Sequence, residues 1–143
     1  MSLTLLCLDP GVDPALYSRE LDLRFRVLRA PLGMTREQTA FSGEQACLHV
    51  LARDGEAVVG CVLFDFASGR LRAMAVEASR QGQGVGARLV QKLEQEVAAR
   101  GVRAVTLHAR QNAVGFYQRL GYATQGEPFT EVGLPHRDMH KTL

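Results

Sequence analysis

Three glycines spaced two residues apart are the strongest chemical signal in this chain. Gly82, Gly84 and Gly86 belong to the segment Gln-Gly-Gln-Gly-Val-Gly, which follows an apolar strand-like segment and leads directly into a helical pattern. Glycine lets successive backbone N–H groups turn toward one point, and a helix start adds unpaired N–H groups and the positive end of its dipole. We therefore predict a binding loop for an anion with several oxygens, such as a pyrophosphate.

Two other kinds of nucleotide-binding loop share this physics. The phosphate loop of NTPases requires Gly-Lys-Ser or Gly-Lys-Thr at its end, but Ala87 and Arg88 follow the last glycine here. The dinucleotide pattern Gly-x-Gly-x-x-Ala is present, but the acidic residue expected about 20 residues later is missing. Residues 102–110 contain no carboxylate. A dinucleotide-binding fragment therefore stays as a weaker alternative.

A second segment, residues 113–122, reads Ala-Val-Gly-Phe-Tyr-Gln-Arg-Leu-Gly-Tyr. Together with the glycine loop, in this order and spacing, it resembles the GNAT superfamily of acyl-CoA-dependent N-acyltransferases, in its small single-domain bacterial type. The resemblance covers about residues 71–122. It implies an α/β (α+β) fold with a mixed, centrally splayed β-sheet flanked by helices. It also implies transfer of an acetyl group from acetyl-CoA directly to a primary amine, without a metal.

The resemblance also assigns the coenzyme-binding residues. The strand before the glycine loop would splay from its parallel neighbour and offer the backbone of Met74, Ala75 and Val76 to the pantetheine arm, as if accepting one more strand. A backbone N–H near Val76 could also stabilise the oxyanion. The pyrophosphate would be held by Gln81, Gly82, Gln83, Gly84, Val85 and Gly86.

Two positions depart from the family pattern. Many members carry Arg where this chain has Gln81, and Arg80 beside it could restore the positive charge. The family's asparagine falls on Arg110, while Asn112 lies two residues further on. We assign the coenzyme contact to Asn112 and leave Arg110 open as an alternative.

Tyr117 is the candidate general acid. The departing thiolate has a conjugate acid with a pKa near that of cysteine, about 8.5, so a phenol with a pKa of about 10 can deliver the proton. Members of the family with this pattern place such a tyrosine after a phenylalanine, as Phe116 and Tyr117 stand here. The alternative is that Tyr117 only packs against the coenzyme.

The attacking amine also has to lose a proton, and no motif fixes the base. Glu131 and His136 are our candidates, because residues 128–136 look like the loop that precedes the last strand in many small bacterial GNAT proteins. His108, near the end of its strand, is the third candidate. Each of them could also be an ordinary surface or hydrogen-bonded residue.

The hydrophobic pattern predicts the elements that position these residues. The first helix should begin near Pro14 with an apolar face of Leu21, Phe25 and Leu28, while Arg19, Arg24, Arg26 and Arg29 take its polar positions. A loop or broken helix should cover residues 32–45. The second helix should run from the glycine loop to residue 100, and a short third should cover residues 113–120. The apolar face of the second helix should consist of Leu89, Val90, Leu93 and Val97. We predict strands over residues 3–8, 47–52, 57–65, 69–76, 102–109, 122–125 and 137–143.

Composition limits the remaining classes of function. A chain of 143 residues predicts one domain, residues 1–143, and the net charge of +2 does not call for a nucleic-acid surface. No apolar run approaches the roughly 20 residues of a membrane span, and no secretory leader is recognisable, so we expect a cytoplasmic protein that binds no membrane.

No metal site is expected from the sequence. His136 and His140 would lie about 13 Å apart along a strand, and the cysteines match no zinc spacing. We expect the cysteines to be reduced and buried. They are Cys7, Cys47 and Cys61.

The sequence leaves the acceptor open among small-molecule and peptide amines. The oligomeric state is also open, with a homodimer as one option. The alternative function from another class is a coenzyme A-binding sensor or partner module without turnover.

Overall fold

A single seven-stranded sheet organises the chain in the computed structural model, which describes residues 2–143. The strand order is β1-β2-β3-β4-β5-β7-β6, and only the pairing of β4 with β5 is parallel. This confirms the predicted mixed α/β fold. The strands are β1 Leu3–Leu8, β2 Leu48–Asp54, β3 Ala57–Asp65, β4 Arg70–Val76, β5 Ala104–Arg110, β6 Ala123–Glu131 and β7 Leu134–Thr142.

Three α-helices flank the sheet: α1 Pro14–Arg24, α2 Val85–Ala99 and α3 Val114–Arg119. Helix α2 provides the crossover that makes β4 and β5 parallel. Its predicted apolar face is confirmed, because Leu89, Val90, Leu93 and Val97 are fully buried. Within residues 2–143, no helix has the length and hydropathy of a membrane span.

The buried face of α1 differs from the prediction. Leu21 and Phe25 are only half-buried, whereas the helix buries Glu20, Leu23 and Arg24. The prediction placed Arg24 among the polar outward positions, and it was wrong because Arg24 finds carboxylate partners inside the protein. The helix continues as a π-helical segment, Phe25–Arg29, and then as a 3-10 turn.

A buried cluster of charges surrounds Arg24. Its guanidinium donates to Glu20 Oε2 at 2.9 Å, to Glu44 Oε2 at 2.7 Å and to the carbonyl of Thr39 at 3.1 Å. His49 Nδ1 lies 2.7 Å from Glu20 Oε1, and Nε2 lies 2.8 Å from the carbonyl oxygen of Glu44. Both ring nitrogens face oxygen atoms, an arrangement that favours the doubly protonated imidazolium. Burial lowers the pKa of His49, but the hydrogen bond and charge of Glu20 raise it by more, so the net shift is upward.

Replacing Arg24 tests how far the fold depends on this cluster. Arg24→Met leaves Glu20 and Glu44 buried with too little positive charge, so we expect a loss of about 3–5 kcal/mol in the free energy of unfolding, measured by urea denaturation. Arg26→Met is the matched control, because Arg26 pairs with Glu77 at a solvent-exposed site. The control should lose less than about 1 kcal/mol. Equal losses in the two variants would contradict a special role for the cluster.

The C-terminal region forms a longer hairpin than predicted. Instead of a loop over residues 126–136, β6 and β7 extend to a tight turn at Val132 and Gly133, which have φ angles of +48° and +75°. An irregularity in the pairing between Gln125 and Phe129 accommodates the glycine and proline between them, and these residues hid the strand pattern in the sequence.

The three cysteines do not share one environment. Cys47 and Cys61 are buried, as predicted, but Cys7 on the edge strand β1 is exposed. The prediction for Cys7 was wrong because β1 is an edge strand and the core does not cover this side chain. The pKa of Cys7 is nevertheless raised, first by partial burial and then by the charge of Glu96.

Candidate active site

The central feature of the site is a gap between the parallel strands β4 and β5. They pair only at Arg70 with Thr106 and at Leu71 with Leu107. Beyond this point β4 contains a bulge, in which Ala73, with a φ of +55°, and the residue after it lie opposite a single residue of β3. The sheet is therefore splayed at its centre, as predicted. The remainder of β4 presents one backbone edge to the gap instead of to a neighbouring strand.

A cleft of about 460 Å³ opens beside this gap. Its walls come from the segment after α1, from β4, from the end of β5, from the start of α3 and from the β6–β7 hairpin. Met74, Tyr117, Glu131 and His136 all line the cleft, so residues predicted from distant parts of the sequence lie together.

The glycine loop lies between the end of β4 and the start of α2. Gly82 and Gly84 adopt φ angles of +79° and +81°, which residues with side chains rarely adopt. The first helical hydrogen bond of α2 runs from the N–H of Arg88 to the carbonyl of Gly84 at 3.1 Å. The preceding N–H groups consequently have no acceptor within the helix. A Cβ atom on Gly86 would lie 3.0 Å from the ring of Phe116, so this glycine is required for the packing of α3.

The side chains of Gln81 and Arg80 both have partners within the protein. The Gln81 side chain donates to the carbonyl of Val76 at 3.1 Å, which ties the loop to the end of β4. Arg80 forms an ion pair with Asp54 at 2.6 Å. The charge of Arg80 is thus already balanced by a carboxylate, contrary to the suggestion that it compensates for Gln81. An anion at this loop would therefore be attracted mainly by backbone N–H groups and the dipole of α2.

Tyr117 is buried at the wall of the cleft, with 6% of its surface exposed. Its ring packs edge-on against Phe116 at 4.9 Å and against Tyr122 at 5.7 Å between ring centroids. Burial raises the pKa of Tyr117 well above its ordinary value. The phenol therefore keeps its proton at neutral pH, and the same shift makes it a weaker acid than an exposed tyrosine.

The three candidate bases form one cluster. Glu131 Oε1 lies 2.9 Å from His108 Nδ1, and Oε2 lies 3.6 Å from His136 Nε2. His136 Nδ1 donates to the carbonyl of Leu134 at 2.9 Å, which fixes the orientation of that ring. The ring of Phe129 packs between the two imidazoles, at 5.0 and 5.9 Å between centroids.

The charge state of Glu131 follows from this cluster. Burial raises the pKa of its carboxyl group, but the hydrogen bond and charge of His108 and the charge of His136 lower it by more, so the net shift is downward. Glu131 is therefore ionised at neutral pH.

The structure separates Asn112, to which the sequence assigned the coenzyme contact, from the alternative, Arg110. Arg110 lines the cleft and donates to the carbonyl of Leu28 at 3.4 Å. Asn112 is exposed in a 3-10 turn and lies outside the lining of the cleft. Ala75, Val76 and the glycine loop are also outside that lining. The geometry favours Arg110 over Asn112 for a role at the cleft.

Sequence reasoning missed three cleft arginines. Arg29, Arg70 and Arg72 line the cleft together with Arg110. Arg70 and Arg72 stand two residues apart on β4, where alternation places them on the same face of the sheet. That spacing was a usable signal, but the approach of Arg29 from the segment after α1 depends on the tertiary structure.

Comparison with known proteins now decides the family. Residues 30–143 match the family described as acetyltransferase (GNAT) domain. The chain belongs to the GNAT acetyltransferase family.

Two relatives come from Bacillus subtilis. One, named as an acetyltransferase, is 35% identical over 97 residues, or 66% of each chain. The other, the uncharacterized N-acetyltransferase YitI, is 40% identical over 75 residues, or 52% of this chain and 50% of that protein. The chain thus aligns with one half to about two thirds of the length of these relatives.

Solved structures share the complete GNAT fold of this chain. An N-acetyltransferase from Lactobacillus plantarum superposes with a TM-score of 0.87 at 20% identity, covering 100% of this chain and 99% of that one. Escherichia coli ElaA gives 0.78 at 21% identity, covering 98% and 99%. An aminoglycoside 6'-N-acetyltransferase solved with coenzyme A gives 0.72 at 24% identity, covering 99% and 97%.

A charge introduced into the glycine loop tests the predicted pyrophosphate site. Gly84→Glu places a carboxylate where the anion should lie, so we expect calorimetry to show acetyl-CoA affinity reduced by about ten- to a hundredfold, because charge-assisted hydrogen bonds are lost. Gly101→Glu is the matched control, because Gly101 follows the other end of α2 with a φ of +86° and equally open surroundings. The control should bear similar backbone strain and bind acetyl-CoA normally. Equal weakening in both variants would assign the effect to strain instead of the loop.

Proposed function

We propose that this protein transfers an acetyl group from acetyl-CoA directly to a primary amine of a small-molecule or peptide acceptor. The observation that carries the proposal is the cleft at the gap between β4 and β5. It has a buried phenol, Tyr117, on one wall and an ionised carboxylate, Glu131, on another. Membership of the GNAT family supports the same reaction class. A cytoplasmic location stays a prediction from the sequence.

The residues present fit acetyl-CoA as the acyl donor. The N–H groups at the start of α2 would hold the pyrophosphate, and Gly86 keeps that loop free of a side chain that would strike Phe116. The open edge of β4, at Met74, Ala75 and Val76, would pair with the pantetheine arm. Acetyl-CoA supplies a thioester, from which attack by an amine yields an amide and a thiol. Arg110 would contribute a positively charged side chain at the cleft end of β5.

Glu131 is proposed to remove the proton of the acceptor amine. A protonated amine is not a nucleophile, so a base must take that proton before or during attack. Glu131 is ionised, and His108 and His136 flank its two oxygens. The Glu131 side chain is 41% exposed, so it can pass the proton on to solvent.

Tyr117 is proposed to hold the proton that the departing sulfur needs. Its buried phenol is protonated at neutral pH and lines the same cleft as Met74 on the open edge of β4. The backbone N–H of Val76 would donate to the carbonyl oxygen as negative charge develops there. Neither role requires a covalent intermediate on the protein.

Tyr117→Phe tests the acid. We expect kcat for thiol release to fall about a hundredfold while acetyl-CoA affinity stays within about twofold, because only the proton donor is lost. Tyr122→Phe is the matched control: this neighbouring tyrosine is also buried, and its hydroxyl donates to Glu94 at 2.9 Å. The control should lose some stability but keep kcat. Unchanged turnover in Tyr117→Phe would remove Tyr117 as the acid.

Glu131→Gln tests the base. We expect kcat/KM for the amine to fall about a hundredfold at neutral pH, with the loss shrinking at high pH as the amine deprotonates without help. Glu127→Gln, an exposed substitution on the same strand, is the control and should leave kcat/KM unchanged. A loss of the same size at every pH would show that Glu131 is structural and does not act as a base.

The whole proposal is tested by combining calorimetry with a screen of amines for thiol release from acetyl-CoA. Micromolar binding together with amine-dependent thiol release would establish the acetyltransferase. Binding with protection against heat but without thiol release from any amine would establish a coenzyme-binding module instead. Binding of NADPH in place of acetyl-CoA would favour the dinucleotide alternative.

A further inference from the structure

The cleft carries more positive charge than acetyl transfer requires. Four arginines line it, and Glu131 is the single carboxylate among the lining residues that the structure describes. The glycine loop, where a pyrophosphate would lie, does not contribute to this lining. The positive charge therefore lies away from the place where the pyrophosphate would bind. The four arginines are Arg29, Arg70, Arg72 and Arg110.

Most of this charge is not balanced by carboxylates of the protein. Of the four arginines, only Arg72 has a carboxylate within 4.0 Å among residues 2–143, and that contact, with Asp65, is 3.8 Å long. Arg29 contacts the sulfur of Met34 at 4.0 Å, and Arg110 contacts a backbone carbonyl. Arg70 lies 3.0 Å from His108 Nδ1, and its buried Nε atom has no hydrogen-bond partner in the described residues.

The arginines also act on each other. Burial lowers the pKa of Arg29, and the charges of Arg110 and Arg24 lower it further. Burial lowers the pKa of Arg70, followed by the charge of Arg72. Cations that are crowded and partly desolvated are costly unless paired. An anionic ligand that enters the cleft would relieve this cost.

The positions of the arginines and of Glu131 determine how a ligand would be oriented in the cleft. Arg70 and Arg72 project from one face of β4, and the guanidinium carbon of Arg72 is held 3.6 Å from the centroid of the Phe41 ring. Arg29 reaches the same cleft from the segment after α1, while Glu131 lies on the β6–β7 hairpin. An acceptor with its amine at Glu131 can thus place its other end among the arginines.

We propose that the acceptor is an anionic amine, a primary amine whose other end carries a carboxylate or phosphate-type group bound by Arg29, Arg70 and Arg72. Guanidinium groups bind such anions with two parallel hydrogen bonds, which gives both strength and orientation. The same charges disfavour polycationic acceptors. This inference rests on the proposed acetyl transfer and specifies its acceptor class.

The experiment compares pairs of amines that differ only in the anionic group. The pairs are L-alanine with L-alaninamide and 2-aminoethyl phosphate with ethanolamine, with spermidine as the polycation. Calorimetry on protein saturated with coenzyme A measures acceptor binding separately from turnover, and thiol release from acetyl-CoA measures turnover. We expect the anionic member of at least one pair to bind and react at least about tenfold better than its neutral partner.

Variants connect the preference to the arginines. Arg29→Gln removes a cation without breaking an ion pair, and Arg70→Gln removes the second; each should reduce the preference for the anionic member about tenfold. Arg70→Lys should restore part of it, because charge returns without the planar fork. Arg119→Gln, an exposed residue of α3 outside the cleft lining, is the control and should keep the full preference. Unfolding by urea verifies that each variant is folded.

The outcomes separate this inference from the proposed function. Anionic amines that bind but release no thiol would uphold the arginine site and refute the transferase. Turnover with spermidine or neutral amines equal to that with anionic ones would uphold the transferase and overturn the anionic acceptor. Equal or absent binding across the pairs, or a preference that persists in both glutamine variants, would overturn it as well.

Discussion

The site depends on how soon the hydrogen bonding between β4 and β5 stops, because only two residue pairs join these strands. After Leu71 the bulge at Ala73 turns β4 out of reach of β5, and the backbone groups along that edge lose a strand partner. Backbone N–H and C=O groups in a protein interior need partners, so this edge is suited to an extended ligand. The same strand leads into the glycine loop, which would place the phosphate end and the reactive end of one coenzyme along a continuous path.

A second constraint holds one wall of the cleft in place. The buried cluster of Arg24, Glu20, Glu44 and His49 joins α1 to the segment before β2 and to β2 itself. Such a buried cluster adds little net stability compared with apolar packing, but it fixes the position of the groups that it joins. Phe41, whose N–H donates to Glu44 at 2.9 Å, is thereby positioned against Arg72 in the cleft. The cluster thus connects the fold of the first 50 residues to the site.

How well a feature could be predicted from the sequence depended on how far apart along the chain its interacting residues lie. The glycine loop and the buried face of α2 are set by neighbours within a few residues, and both could be read directly. Arg24 could not be predicted as buried, because its partner Glu44 lies 20 residues away in an irregular segment. Arg80 similarly pairs with Asp54, which is 26 residues away. Glu131 and His136 were predicted near the cleft, but their strands were hidden by Gly126, Pro128 and Pro135.

The arginines and Glu131 are best understood as one electrostatic arrangement. The hydrogen bond with His108 and the charges of His108, His136 and Arg70 hold the pKa of Glu131 low, which keeps it ionised but also makes it a weak base toward an ordinary ammonium group. The same positive charges act on the acceptor: they disfavour an ammonium group in the cleft and so lower its pKa, while they attract the anionic end of the molecule. On the proposed acceptor class, one set of arginines therefore orients the substrate and brings its amine within reach of a base as weak as Glu131.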